Sequence, residues 1–272
     1  MTEPLALPRI ALLGWGAIGQ RVQATLRDRL MPGAEIALFA RPSSAERLRR
    51  DSGLPIFTDV QALAAWQPRL AIECAGHAVV AEVLPPLLRA GIDVVIASVG
   101  ALGDAALRAD IEAAACAGGA RPLVVSGAIG GLDALRAARQ AGLDSVRYTG
   151  RKPPQAWRGT PAEQRVDLGA ITEPTVIFDG CAADAARDYP RNANVTAAVA
   201  LAGIGFERTA VRLMADPGVT ANVHELDAQG AFGALQLRLQ NAPLPDNPKS
   251  SWLAALSIEA TLASYFHPQS LS

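Results

Sequence analysis

"LLGWGAIGQRV", residues 12–22, decides how the rest of the chain is read. Gly14, Gly16 and Gly19 satisfy the spacing G-x-G-x-x-G directly after "RIALLG", an apolar run with the length of a buried strand. The residues that follow, "AIGQRVQATLRDRL", have helical spacing. In a strand, turn and helix of this kind the first glycine permits the tight turn. The second lets a pyrophosphate approach the backbone, and the third lets the helix pack close to the strand. The helix start, with Ala17 and Ile18, offers amide donors and the positive end of its dipole to phosphate. Without that context the same glycines would be an ordinary turn in an Ala/Gly-rich chain.

The pattern continues outward. "EIALFA", "RLAIECAG", "DVVIAS" and "PLVVSGA" are further short apolar runs. A polar turn follows the first. Helix candidates follow the others: "AVVAEVLPPLLRAG", Asp104 to Ala117 and Gly131 to Ala141. Buried strands alternating with helices predict a doubly wound parallel sheet, an α/β domain over residues 1–142. From about Asp144 the rhythm changes. "DSVRYTGRKPP" and "PTVIFDG" read as strands, "ANVTAAVALAGIG" as a helix, and "ERTAVRLMAD", "VTANVHELDA" and "GALQLRLQNA" as extended segments. Turn-like "DPG" and "AQGAFG" join the last three, which predicts an antiparallel meander. Residues 143–249 are thus expected to form a second, α+β domain with a mostly antiparallel sheet. "SSWLAALSIEATLASYF" predicts a closing helix within 250–272, capped by Ser250 or Ser251 and packing back on the first domain.

Composition narrows the partners. The 272 residues are 50% hydrophobic, 19% charged and 5% aromatic, with net charge −1. That balance supports a large core and gives no electrostatic footprint for nucleic acid or an anionic membrane, so small-molecule partners are expected. Cys74, Cys116 and Cys181 are odd in number and far apart, which argues against a disulfide framework or a metal site. No window holds the apolar length of a spanning helix, and the first residues lack a basic signal region, so a cytoplasmic location is expected.

Several residues are candidates for the site. NAD-selective cradles hold the ribose with an acidic residue after the second strand, but "LFARPSS" offers Arg41, Ser43 and Ser44 there. Arg41 can pair with a 2′-phosphate, so NADP is expected to be accepted alongside NAD. "ECAGHAVVAE" and "SVGAL" put Cys74, Ala75 and Gly76, with Ser98, Val99 and Gly100, at the ligand crevice of such a sheet. His77 belongs there or merely caps or solvates the first turn of the helix that it precedes. "GRKPP" supplies Arg151 and Lys152; "DNPKSS" supplies Asn247, Lys249, Ser250 and Ser251. These groups suit a dicarboxylate, and are equally what solvated loops carry. "YPRNANVTAA" places Arg191, Asn192 and Asn194 at a helix start, as caps, substrate donors or ligands of a nicotinamide carboxamide. In "SGAIGG", Ala128 has small neighbours past which a nicotinamide ring can reach the backbone. In "VTANVHELDA", His224 shares the polar side of the alternation with Thr220 and Asn222. Period two alone leaves open whether it is a surface residue or a general base.

Taken together, "GWGAIG", "ECAGHAVV", "SVGAL", "SGAIGG", "TGRKPP", "NANVTAA", "ANVHEL" and "NPKSS", in this order, resemble the L-aspartate dehydrogenase family over most of the chain. The resemblance implies a Rossmann domain followed by a substrate and dimerisation domain, with NAD or NADP as cofactor and a homodimer as the assembly. It also implies oxidative deamination of L-aspartate to oxaloacetate through iminoaspartate, with release of ammonia and a link to nicotinamide nucleotide biosynthesis. Matched by position, the family's nicotinamide contacts fall on Ala128 and Asn194, and its active-site histidine on His224. Substrate contacts fall on the loops of Lys152, Asn247, Lys249 and Ser250. A histidine with an ordinary pKa of about 6.5 can take the ammonium proton or activate the water that hydrolyses the imine. Two other readings stay open. One is a two-domain dehydrogenase or reductase of another small amino or carboxylic acid, although the paired histidines and following lysine of dihydrodipicolinate reductases are absent. The other is a dinucleotide-sensing protein without turnover.

Overall fold

The computed structural model describes residues 7–245 and 247–268, without the side chains of Arg191, Pro248 and Lys249. It divides into two compact units. The first comprises residues up to 98, 105–125 and from 255 onward; the second comprises 99–104 and 126–254.

The first unit is built on a six-stranded sheet of β1 (Arg9–Leu13), β2 (Glu35–Phe39), β3 (Ile56–Phe57), β4 (Leu70–Glu73), β5 (Asp93–Ile96) and β6 (Pro122–Val124). Its order is β3-β2-β1-β4-β5-β6, and every pair is parallel. Parallel pairing requires crossovers, which α1 (Ala17–Thr25), α2 (Pro42–Ser52), α3 (Val60–Ala65), α4 (His77–Arg89) and α5 (Ala105–Gly118) supply. Ile10–Leu13, Leu70–Ile72 and Val94–Ile96 are fully buried, the reason these strands read as unbroken apolar runs. This is a Rossmann sheet. Helix α2 replaces the polar turn expected after β2. It starts with Pro42 at a first-turn position and stops at Gly53, but Leu48 is its only buried residue, so it lacks the apolar period that reveals a helix.

The second unit holds α6 (Leu132–Arg139), β7 (Leu143–Lys152), β8 (Thr175–Cys181), α7 (Ala182–Asp188), α8 (Ala193–Ala202), β9 (Ala210–Ala215), β10 (Val223–Gly230) and β11 (Gly233–Gln240). A short pair, β12 (Pro243–Leu244) and β13 (Asn247–Ser251), follows. The main sheet runs β11-β10-β7-β9-β8, antiparallel except for β7 and β9. Mostly antiparallel is therefore right, but the expected meander of the last three strands is not. β10 and β11 form a hairpin, while β7 lies between β10 and β9. After β9 the Asp216 amide donates to the Lys152 carbonyl at the end of β7, and the chain turns at Pro217 and Gly218. It then crosses that end to reach the other edge of β7. Residues 219–222 belong to this crossing, so the alternation in "VTANVHELDA" becomes a strand only from Val223.

The units divide at 125/126 rather than after 142. Helix α6 buries Leu132, Leu135 and Ala138 and packs on α8, which ties it to the second sheet. The last helix, α9 (Trp252–Phe266), clusters with the first unit from residue 255. There the buried Glu259 carboxylate accepts from Arg21 Nε at 2.6 Å and Arg29 at 2.9 Å, and the Tyr265 hydroxyl donates to Asp93 at 2.9 Å. No helix among the described residues is long and apolar enough to cross a membrane.

Candidate active site

In the first unit the glycine turn follows β1 and leads into α1. Gly14 has φ +98°, and a Cβ there would lie 2.8 Å from the Ala75 Cβ. A Cβ on Gly19 would lie 2.5 Å from the Gly14 carbonyl oxygen, so the helix sits against the turn as the motif requires. Gly16 is different: it is exposed, faces open space, and caps α1 without any side-chain acceptor. The helix start at Ala17 and Ile18 thus has no side-chain cap on its amides. These features fit a dinucleotide pyrophosphate. Cys74, Ala75 and Gly76 follow β4 at the same edge. Burial, helped by the neighbouring Glu73 charge, pushes the Cys74 thiol well up, so it stays a neutral group. Arg41 is exposed after β2, just before α2. His77 is the first residue of α4.

In the second unit, alternate residues of β7 put Tyr148, Gly150 and Lys152 on one face of the sheet. His224 of β10 pairs directly with Gly150, so its ring joins that face. The ring is buried, and its Nδ1 lies 2.8 Å from the Tyr148 hydroxyl. A Cβ on residue 150 would lie 2.7 Å from that hydroxyl, so glycine is what makes the contact possible. His224 Nε2 is buried with no hydrogen-bond partner among the described residues.

Lys152 closes the group. Its ammonium donates to the Asn192 side-chain oxygen and sits 5.2 Å from the centroid of the Trp157 ring. Burial holds Lys152 down to about 8; burial first, and then the Lys152 charge, hold His224 down to about 4. At neutral pH the site therefore combines a neutral imidazole with a mostly protonated ammonium. The Tyr148 hydroxyl, pushed up by burial, stays protonated.

Two contacts fix the residues matched to nicotinamide. The Asn194 side-chain oxygen accepts from the Gly100 amide at 2.9 Å, which fixes the orientation of its carboxamide. The Ala128 carbonyl accepts from Asn241 Nδ2 at 2.8 Å, while the Asn241 amide donates to the Asn222 carbonyl at 2.9 Å. Asn241 thus ties the Ala128 loop to the segment entering His224. Asn222 Nδ2 in turn reaches the Ser251 hydroxyl at 3.4 Å.

His224, Lys152 and Asn192, far apart in the chain, are brought together. Asn247 and Ser250 are brought to each other, with Asn247 Nδ2 donating to the Ser250 hydroxyl at 3.1 Å within β13. The Lys249 side chain lies outside the described residues. Sequence reasoning missed Tyr148, Gly150, Trp157 and Asn241. Only "RYTGRK" carried a signal, because its period-two spacing put Tyr148 and Gly150 on the same face as Lys152.

The chain matches two family models. One, described as the NAD binding domain of homoserine dehydrogenase, covers residues 14–124; the other, described as aspartate dehydrogenase, C-terminal, covers 133–265. It is 45% identical over 272 residues to an L-aspartate dehydrogenase of Ralstonia nicotianae, covering 96% of this chain and 99% of that one. It is also 45% identical over 264 residues to an L-aspartate dehydrogenase of Pseudomonas aeruginosa, with the same coverage. Aspartate dehydrogenase of Thermotoga maritima shares the fold, with a TM-score of 0.74, 23% identity and 96% of each chain covered.

The electrostatics of the site predict its titration. In a proton and nitrogen NMR titration, His224 should remain neutral until the pH falls to about 4. Lys152→Met should move the His224 midpoint upward, because the neighbouring positive charge is gone. A His224 midpoint at about 6.5 would show that the ring is solvated.

Proposed function

The chain belongs to the L-aspartate dehydrogenase family, and from that premise we propose that it oxidises L-aspartate with NAD or NADP. The products are oxaloacetate, ammonia and the reduced dinucleotide, and the intermediate is iminoaspartate. The reaction is reversible, and it serves nicotinamide nucleotide biosynthesis. The observation that carries this reading is the buried His224 ring, its Nε2 without a partner among the described residues, beside the Lys152 cation.

The substrate arrives as an ammonium with two carboxylates. Lys152 neutralises a carboxylate, with Asn192 holding its ammonium in place, and this fixes Cα relative to the ring. His224 Nε2 takes a proton from the substrate ammonium, freeing the nitrogen lone pair. For Nε2 to accept, Nδ1 must carry the hydrogen and donate it to the Tyr148 oxygen, a tautomer that the 2.8 Å contact accommodates. The negative charge of the bound dicarboxylate raises the proton affinity of the imidazole from its low resting value. When bound, the dinucleotide supplies the hydride acceptor for the Cα hydrogen. His224 then delivers or withdraws the proton as water adds to the imine and ammonia leaves. Asn194 and the backbone at Ala128 orient the nicotinamide end, and the glycine turn takes the pyrophosphate. Arg41 meets the 2′-phosphate of NADP.

Three outcomes test this reading. In an assay of reduced-nicotinamide absorbance with L-aspartate, His224→Ala should lower kcat by about 10²- to 10⁴-fold while dinucleotide affinity stays near that of the unaltered protein. Near-normal turnover would remove His224 from the proton transfers. Arg41→Glu should weaken NADPH binding by about tenfold or more and leave NADH unaffected; an unchanged ratio of the two affinities sinks that assignment. Succinate, which lacks the amine, isolates Lys152. Lys152 is charged below about pH 8 and loses its proton above it. The succinate dissociation constant should therefore climb about five- to tenfold between about pH 7 and 9.5, and Lys152→Arg should flatten the climb. A flat profile for the unaltered protein takes Lys152 out of carboxylate recognition.

A further inference from the structure

We infer that Glu73 is a positioning residue of the dinucleotide cradle, its carboxylate locking the loop after β4 to the loop after β5; the inference rests on the dinucleotide reading above. Glu73 is the last residue of β4, paired with Leu13 of β1 on one side and Ile96 of β5 on the other. It is fully buried at the end of a strand whose other residues, Leu70, Ala71 and Ile72, are apolar. An ionised carboxylate in such a place is costly unless its oxygens are hydrogen-bonded.

Five donors satisfy it. Oε1 accepts from the Ala75 amide at 2.7 Å, the Gly76 amide at 2.7 Å and the Ser98 hydroxyl at 2.9 Å. Oε2 accepts from the Ser98 amide at 2.7 Å and the Ala97 amide at 3.2 Å. None of these donors is a cation, and among the described residues no Lys, Arg or His forms an ion pair with Glu73. With every lone-pair direction occupied, the carboxylate is not free to act as a ligand of the ribose. Its effect is mechanical. Ala75, held by Oε1, is the residue against which the glycine turn packs, since a Cβ on Gly14 would stand 2.8 Å from it. The loops after β1, β4 and β5 therefore form one connected floor with Glu73 as its hub. This is the edge of a Rossmann sheet that takes a dinucleotide, and a floor set before binding lowers the cost of ordering it on binding.

The geometry makes Glu73→Gln informative. A carboxamide can keep the donors of one oxygen but turns its NH2 toward the amides that faced the other. Titration of nicotinamide fluorescence should show the dissociation constants for NADH and NADPH rising at least tenfold in Glu73→Gln. Glu73→Asp should fall between the two, and Ser98→Ala, which removes one donor of five, should give a rise of about threefold. At saturating dinucleotide, kcat should stay within about threefold and the KM for L-aspartate should not move. A purely structural role would instead lower Tm while leaving the dinucleotide affinity of the folded protein unchanged. That result, or a folded Glu73→Gln protein binding dinucleotide within twofold of the unaltered chain, overturns the inference. Should Glu73→Gln fail to fold, Ser98→Ala decides by the same measurement, and an unchanged affinity there overturns it. Absence of dinucleotide binding by the unaltered protein overturns the cofactor reading itself, and this inference with it.

Discussion

The pairing of His224 with Gly150 across β10 and β7 sets the chemistry of the second unit. Because side chains alternate along a strand, this register puts the imidazole on the face that carries Tyr148 and Lys152, and a slip of one residue would turn it to the opposite face. The missing Cβ at Gly150 leaves room for the Tyr148 hydroxyl to reach Nδ1. With Nδ1 engaged, Nε2 is left without a hydrogen-bond partner among the described residues. The central place of β7 in the sheet makes the register hard to change, since both of its edges are paired.

Burial gives those groups their protonation states. A buried ring resists becoming a cation, and a neighbouring ammonium adds to that resistance, so His224 is neutral throughout the physiological range. The same burial brings Lys152 close to neutrality without removing its charge at pH 7. Two groups that would both be cations in mildly acidic water are thus separated into one acceptor and one cation. In the proposed reaction an anionic substrate would stabilise both positive forms, raising the proton affinity of the imidazole as the substrate ammonium arrives. Asn192 and Trp157 keep the ammonium in place through its hydrogen bond and over an aromatic face.

The first unit shows the complementary device. There the proposed dinucleotide surface is backbone: a glycine turn, a helix start and two short loops. Backbone surfaces need something beneath them to fix their shape, and a carboxylate can gather several amides at once because it accepts in several directions. Glu73 does so from within the sheet. In the second unit Asn241 does the equivalent with an amide side chain, joining the loop of Ala128 to the entry of β10.

Much of this was legible in the chain itself. The strand, glycine turn and helix at residues 9–25 depend on neighbours within a few positions, so their spacing determined a dinucleotide cradle before any contact was known. Continuous apolar runs determined a parallel sheet buried on both faces, and the ordered motifs pointed to His224, Lys152, Ala128 and Asn194. Helix α2 escaped because it buries little, and the meander was misread because turn residues at 217–218 signal a reversal without saying which strand is met next. What only the tertiary structure decided were the supporting contacts. Tyr148 and His224 are 76 residues apart, Asn241 and Ala128 are 113 apart, and Glu73 and Ser98 are 25 apart. Local periodicity assigns a side chain to a face, but the register of strands and the order of a sheet choose what that face meets.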